Sequence, residues 1–404
     1  MLGCSGISSI NINGGCSSSV AILEVSYDGG VMYSNAGTGP WYFEDSNQLD
    51  SEVKFKATIR KIGCPDQFVT ASFYPDEECL TGAFITEWNV NEGDQIVIPT
   101  YSPLTYNYSV DWGDESVTNN ISESAYHTYS SSGTYEVKIL GTFPRIYFNS
   151  VDLSTKNKLT KIKKWGNIEW ESFGGAFVRC ENLEITATDT PNLNNVVNLS
   201  SMFNGCISLT DIPNVGSWDL SNITNINAMF YSSSFNGNVG SWNTSNVENF
   251  EYTFGRCLFN NSGSDSIKNW DVANAKNMGL MFVYNTSFNQ PLTNWDVSSC
   301  ESFLQAFYGA SSFNQDLSNF NISGIITGSV GSPSPSLLMM FDMSGLSTSN
   351  YDKILNKFAS TATNKNLEYV ELGAAGINYT TAGSGSRNTL VNTLGWTITD
   401  AGII

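Results

Sequence analysis

The chain carries one histidine, His127, with 38 Asp and Glu and eight Cys in 404 residues. A single imidazole excludes a multi-His metal centre, and it confines any Ser-His-Asp or Cys-His nucleophile to the surroundings of residue 127. The cysteines include no CxxC pair, so zinc is not expected. A phosphate-cradling GxxxxGK[ST] loop and a dinucleotide fingerprint are both missing. Paired carboxylates for glycoside hydrolysis remain possible on numbers alone. However, Asp219, Asp271 and Asp296 recur at one position after a Trp, with Asn243 and Asn321 replacing them elsewhere. A catalytic acid is not expected once in every repeat, and these residues read as turn caps. Asp111, Asp114 and Glu115 are close enough in sequence to suggest Ca²⁺, although a turn role is the simpler reading. The expectation is no catalytic, cofactor-binding or metal residue, and no enzyme.

The elements that position these side chains are repeats. Phe203, Phe230, Phe254, Phe282 and Phe307 each precede a Trp-slot residue: Trp218, Trp242, Trp270, Trp295 and then Phe320. The Trp-slot intervals are 24, 28, 25 and 25 residues. Such a period indicates a stacked solenoid whose units bury their apolar faces only against neighbours. In NITNINAMF, Ile223, Ile226, Met229 and Phe230 share one face at helical spacing, with Ser221 or Asn222 as N-cap, so a short helix is expected. Cys180, Cys206 and Cys257 follow the repeat Phe at the place where another unit has Ala310. That interchange points to packing. Cys300 stands apart, and Cys4, Cys16, Cys64 and Cys79 allow two disulfides in three connectivities, with reduced thiols the favoured state.

Composition narrows the class. Charged residues make up 14% and aromatic residues 13%, with a formal charge of −19. The polar surface must come from Asn, Ser, Thr and Gly, which suits turn-rich β proteins at extracellular or virion surfaces. The acidity argues against nucleic acid. The basic cluster Lys156, Lys158, Lys161, Lys163 and Lys164 reads as a solvated face. No apolar run is long enough to span a membrane.

Alternating runs in residues 1–86, among them VAILEVSYDGGVMYS and EVKFKATIRKIG, predict a β-rich domain with a loop at WYFEDSNQLDSE. Residues 87–148 predict further short strands, including PRIYF. There, VDWGDES…AYHTYSSSGTYEVKI resembles the PKD domain pattern through Asp111, Trp112, Gly113, Asp114, His127 and Tyr129. Glu115 stands where that family usually has Gly. The resemblance implies an immunoglobulin-like β-sandwich serving as spacer or interaction module.

Over residues 149–345, SNITNINAMFYSSSFNGNVGSWNTSNVENFEYTF and NMGLMFVYNTSFNQPLTNWDVSSCESFLQAFYGASSFNQDLSNFNIS resemble the BspA-like leucine-rich repeat family of surface proteins. Five or six units match over about 170 residues. This resemblance implies a coil of one strand and one short helix per unit. GSVGSPSPS reads as a loop insertion in the last unit. Residues 346–404 predict a helix bearing Tyr351, Ile354, Leu355 and Phe358, then strand, helix and strand, as a C-terminal cap.

The whole chain is expected to be a multidomain, mostly β protein. Both recognised modules resemble parts of extracellular adhesins. The opening MLGCSGISSININGGC has no basic or strongly apolar leader region. Taking Met1 as the native start, the expected setting is a bacteriophage fibre or decoration protein on the virion surface. The N-terminal domain would dock on other virion proteins, and the solenoid would contact a host surface glycan or protein. Nucleic-acid binding, membrane insertion and a bound cofactor are not expected. The alternatives are a secreted or cell-surface adhesin, a polysaccharide-acting enzyme and a purely structural virion spacer.

Overall fold

The computed structural model describes residues 82–404 throughout and, before them, four strands: β1 (Val20–Ser26), β2 (Ser34–Asn35), β3 (Val53–Arg60) and β4 (Gln67–Phe73). They form an antiparallel sheet in the order β2-β1-β3-β4. The expected loop at WYFEDSNQLDSE and Cys4, Cys16, Cys64 and Cys79 lie outside the described residues. Across the described chain the protein is mostly non-helical and contains several β-sheets.

The next strands are β5 (Phe84–Val90), β6 (Gln95–Ile98), β7 (Asn107–Asp111), β8 (Val117–Ile121), β9 (Ala125–Thr128) and β10 (Gly133–Thr142). A boundary at residues 86–87 would cut through β5. Phe84 and Trp88 on that strand are fully buried, so the unit begins at or before Phe84. PRIYF, expected as a strand, instead runs from Pro144 into a 3₁₀ turn at Phe148–Ser150. Its distant backbone bonds go to three separate places, Tyr147 N–H to Pro99, Phe148 N–H to Ala176 and Glu171 N–H to Pro144, so no ladder forms there.

The junction with the repeats is a shared sheet. A one-turn helix α1 (Leu153–Lys156) is capped by Asp152 and leads into β11 (Leu159–Lys164), which pairs antiparallel with β5. On its other side β11 pairs parallel with β12 (Glu184–Ile185), giving the order β12-β11-β5-β10-β7-β8. The lysine cluster is therefore only partly a solvated face. Lys161 and Lys163 reach across the sheet to Glu87 and Glu136, and Lys158 lies 3.2 Å from Asp94. Lys156 is buried, and loss of water lowers its amine pKa.

Within residues 172–345 the expected short helix is replaced by stacked four-residue turns; the described residues there contain no α-helix. Met229, Tyr231 and Ser233 N–H groups bond back to Ile226, Ala228 and Phe230. The intervening Ile226, Ala228, Phe230 and Ser232 N–H groups donate to Asn249, Glu251, Thr253 and Gly255 of the next unit. Ala228 and Ser232 have φ of 53° and 55°, values that no right-handed helix contains. The same left-handed pair recurs at Ser201 and Gly205, Tyr252 and Arg256, Leu280 and Tyr284, and Met339 and Met343. A four-residue turn returns Ile226 and Phe230 to one side, as a helix would. The apolar pattern therefore marked the buried face correctly and mistook the backbone.

Parallel bridges link Asn198, Asn225, Asn249, Asn277 and Ser302 in succession. GSVGSPSPS is not wholly a loop: its end enters β13 (Ser334–Leu337), where Ser334 and Ser336 are buried. The C-terminal region follows with α2 (Thr348–Lys365), β14 (Val370–Gly373), α3 (Thr381–Asn388) and β15 (Thr397–Thr399). Its sheet is parallel in the order β13-β14-β15. Tyr351, Ile354, Leu355 and Phe358 of α2 are buried, as their spacing required.

Candidate ligand-binding face

The repeat aromatics named from sequence are all core. Phe203, Trp218, Phe230, Trp242, Phe254, Trp270, Phe282, Trp295 and Phe307 are each buried. From Phe177 to Phe341 the rings stack unit upon unit; Phe230–Phe254 centroids are 5.9 Å apart at 4° and Phe282–Phe307 centroids 5.6 Å apart at 14°. Trp242, Trp270 and Trp295 form a second column with spacings of 6.1 and 6.2 Å. Each of these indoles donates to a carbonyl one unit back: Val215 at 2.7 Å, Val239 at 3.0 Å and Ile267 at 2.9 Å. Offset stacking and a satisfied indole make these rings scaffold, unavailable to a ligand.

The polar columns are also largely used internally. Asp219, Asn243, Asp271, Asp296 and Asn321 each accept a backbone N–H two residues on, closing a turn. Asn225, Asn249 and Asn277 do the same at the bridge positions. Asn236, Asn260, Asn289 and Asn314 accept backbone N–H groups from the following unit. Cys180, Cys206, Cys257 and Cys300 are buried free thiols. Burial raises each thiol pKa, to about 11 for Cys257 and about 12 for Cys300, so they are not poised as nucleophiles.

The PKD-like residues form one compact cluster. Trp112 is buried and stacks on His127 with centroids 4.8 Å apart. His127 Nε2 lies 2.7 Å from Asp114 Oδ2, and Tyr129 Oη donates to the Trp112 carbonyl at 2.9 Å. Gly113 has φ +80°, and a Cβ there would sit 2.6 Å from the Glu136 carbonyl oxygen. Asp111 accepts the Gly113 N–H and lies 3.4 Å from Lys138 Nζ, while Asp114 accepts from Ser116. Asp111 and Asp114 thus already accept from neighbouring donors, and among the described residues no three His, Cys, Asp or Glu side chains are grouped to hold a metal ion.

What the spacing of Phe and Trp did not identify is a set of tyrosines beside the Phe column. Tyr231 and Tyr252 meet edge to face at 5.3 Å, as do Tyr284 and Tyr308 at 5.1 Å. Arg256 places its guanidinium carbon 4.9 Å from the centre of the Tyr284 ring. Tyr284 is 40% exposed, and Tyr231, Tyr252 and Tyr308 are partly exposed. Glycine makes room for these rings. A Cβ at Gly309 would lie 2.6 Å from Tyr284 Cδ1, and one at Gly255 would lie 3.1 Å from Tyr231 Cδ2. Gly255 and Gly309, each one unit after the tyrosine it accommodates, were the available sequence signal. This face combines half-open aromatic surface, phenolic hydroxyls and a guanidinium.

Residues 171–265 and 258–329 match a family described as Mycoplasma protein of unknown function, DUF285. The similarity lies in the repeats. No curated protein and no solved structure matches the chain. No helix among the described residues is long and apolar enough to cross a membrane.

Proposed function

We propose that the chain is a non-enzymatic adhesion protein. Its repeat region is a solenoid related to the leucine-rich repeats of BspA-like surface proteins, and residues 84–148 form a PKD-like spacer. The observation that carries this reading is the tyrosine face. Core, turn and ladder roles account for the Phe, Trp, Asp and Asn columns, whereas Tyr231, Tyr252, Tyr284 and Tyr308 keep ring surface open to solvent. Half-exposed rings flanked by hydroxyls and Arg are suited to sugar, whose apolar ring faces stack on aromatics and whose hydroxyls bond at the rim. A host surface glycan is therefore the proposed ligand.

The expected setting is a phage particle, supported by the charge-poor surface rich in Asn, Ser, Thr and Gly. Mass spectrometry of purified virions tests the setting, and absence of the chain there would leave a cell-surface adhesin. A glycan array probed with the full chain tests the function. Binding that disappears in Tyr252→Ala and Tyr284→Ala supports the adhesion reading. Wild-type silence on glycans and on host cells would leave a structural spacer.

A further inference from the structure

Resting on that reading, we infer that the glycan bound at the tyrosine face carries a carboxylate, as uronic and sialic acids do. Arg256 is exposed and has no carboxylate within ion-pair distance among the described residues. The other arginines within residues 82–404 are engaged elsewhere. Arg179 pairs with Glu181, and Arg387 pairs with Asp400. Arg145 lies between Tyr101 and Tyr147 and donates to the Gly174 carbonyl.

The placement of Arg256 is built into the backbone. Arg256 and Tyr284 occupy the same left-handed corner of successive units, each with φ 51°. Arg256 N–H also donates to Val283, next to Tyr284, so cation and ring are registered by the ladder itself. The ring holds the guanidinium from one side through cation–π attraction and leaves its fork of N–H donors free for a planar acid. A pyranose stacked beside Tyr284 and Tyr308 would bring its carboxylate to that fork.

The carboxylates that act on these tyrosines, Glu251 on Tyr252 and Asp342 on Tyr308, are each held by a hydrogen bond and keep their charge. Glu251 accepts from Asn227 Nδ2 at 3.1 Å, and Asp342 accepts the Ala375 N–H at 2.8 Å. The formal charge of −19 disfavours a densely charged polyanion. At physiological salt, charges more than about 8 Å away are largely screened. Beside those two carboxylates the Arg256 guanidinium is the local attraction, and the fitting ligand is a glycan with isolated carboxylates.

The test uses the full chain against two matched pairs: a hyaluronan hexasaccharide and sialyllactose, each beside its carboxyl-reduced form. The expected result is at least tenfold weaker binding of the reduced form in one pair, which also tells uronic from sialic acid. Arg256→Gln abolishes that difference while leaving the thermal midpoint unchanged, and Arg256→Lys keeps part of it. Equal binding of acid and reduced forms by the wild type, or discrimination surviving in Arg256→Gln, overturns the carboxylate inference and leaves the glycan reading standing. Failure to bind any of the four probes overturns the carboxylate inference. Silence on the glycan array as well removes the glycan reading.

Discussion

Asn319 Nδ2 donates to the carbonyl of Leu292 at 3.2 Å. In the three preceding units the corresponding carbonyl, Val215, Val239 or Ile267, receives a Trp indole. The chain has Phe320 in that slot and uses the neighbouring amide instead. A small apolar cavity remains between Phe320, Trp295, Phe303 and Phe307. Phe320→Trp is expected to fill that space and to raise stability by about 0.5–2 kcal/mol, as cavity-filling changes commonly do. Thermal unfolding of the variant checks this, and a lowered midpoint would mean that the site is too small for an indole.

The Trp column predicts a contrast between two identical substitutions. Trp270 donates to Val239, whereas Trp218 Nε1 is buried without an acceptor. Trp270→Phe removes one of the two hydrogen bonds that the Val239 carbonyl accepts, the other coming from the Trp242 N–H, and should cost about 0.5–1.5 kcal/mol. Trp218→Phe deletes an unsatisfied donor and should cost clearly less. Equal losses in the two variants would show that ring volume, not the indole bond, sets the energetics.

The Asp114–His127 contact predicts acid sensitivity. Burial pushes the Asp114 carboxyl pKa up, but hydrogen bonds from Ser116 and His127 outweigh it and hold the value below the ordinary carboxylate range. The unfolded chain then takes up this proton first. The stabilisation is complete above about pH 4 and is lost as pH falls through the lowered folded value. Asp114→Asn should narrow its stability gap to wild type as pH falls from 6 to 2. A constant gap in melting temperature across that range would refute the linkage.

Glu115 adopts φ 68° in the turn where the resembled pattern has Gly. Left-handed backbone costs a non-glycine residue about 1–2 kcal/mol, partly offset by the greater freedom glycine loses on folding. Glu115→Gly should therefore stabilise the chain by about 0.5–1 kcal/mol, measurable as a raised unfolding midpoint. A destabilised variant would show that the Glu115 side chain contributes more than its backbone strain costs.

The core columns were legible because size and apolarity recur at one position: Phe230 and Trp242 announce themselves. The turn role of Asp219 and Asp271 was legible because Asn replaces Asp there. The backbone between Ile226 and Phe230 was not, since four-residue turns and helices bury the same positions. Nor was the fate of Lys161 and Lys163, because their acids, Glu87 and Glu136, lie far away in sequence. The tyrosine face stayed hidden because its members sit at different places in successive units and meet only when the units stack.

The alternation of N–H groups, one back into its own turn and the next forward to the following unit, has a mechanical consequence. A pull along the direction of stacking is carried in series by every junction between units, and a junction that fails frees the chain of one repeat. One repeat of roughly 25 residues releases about 80–90 Å of chain when drawn straight. A protein built this way yields to force in even steps, lengthening under load while the remaining repeats keep their shape.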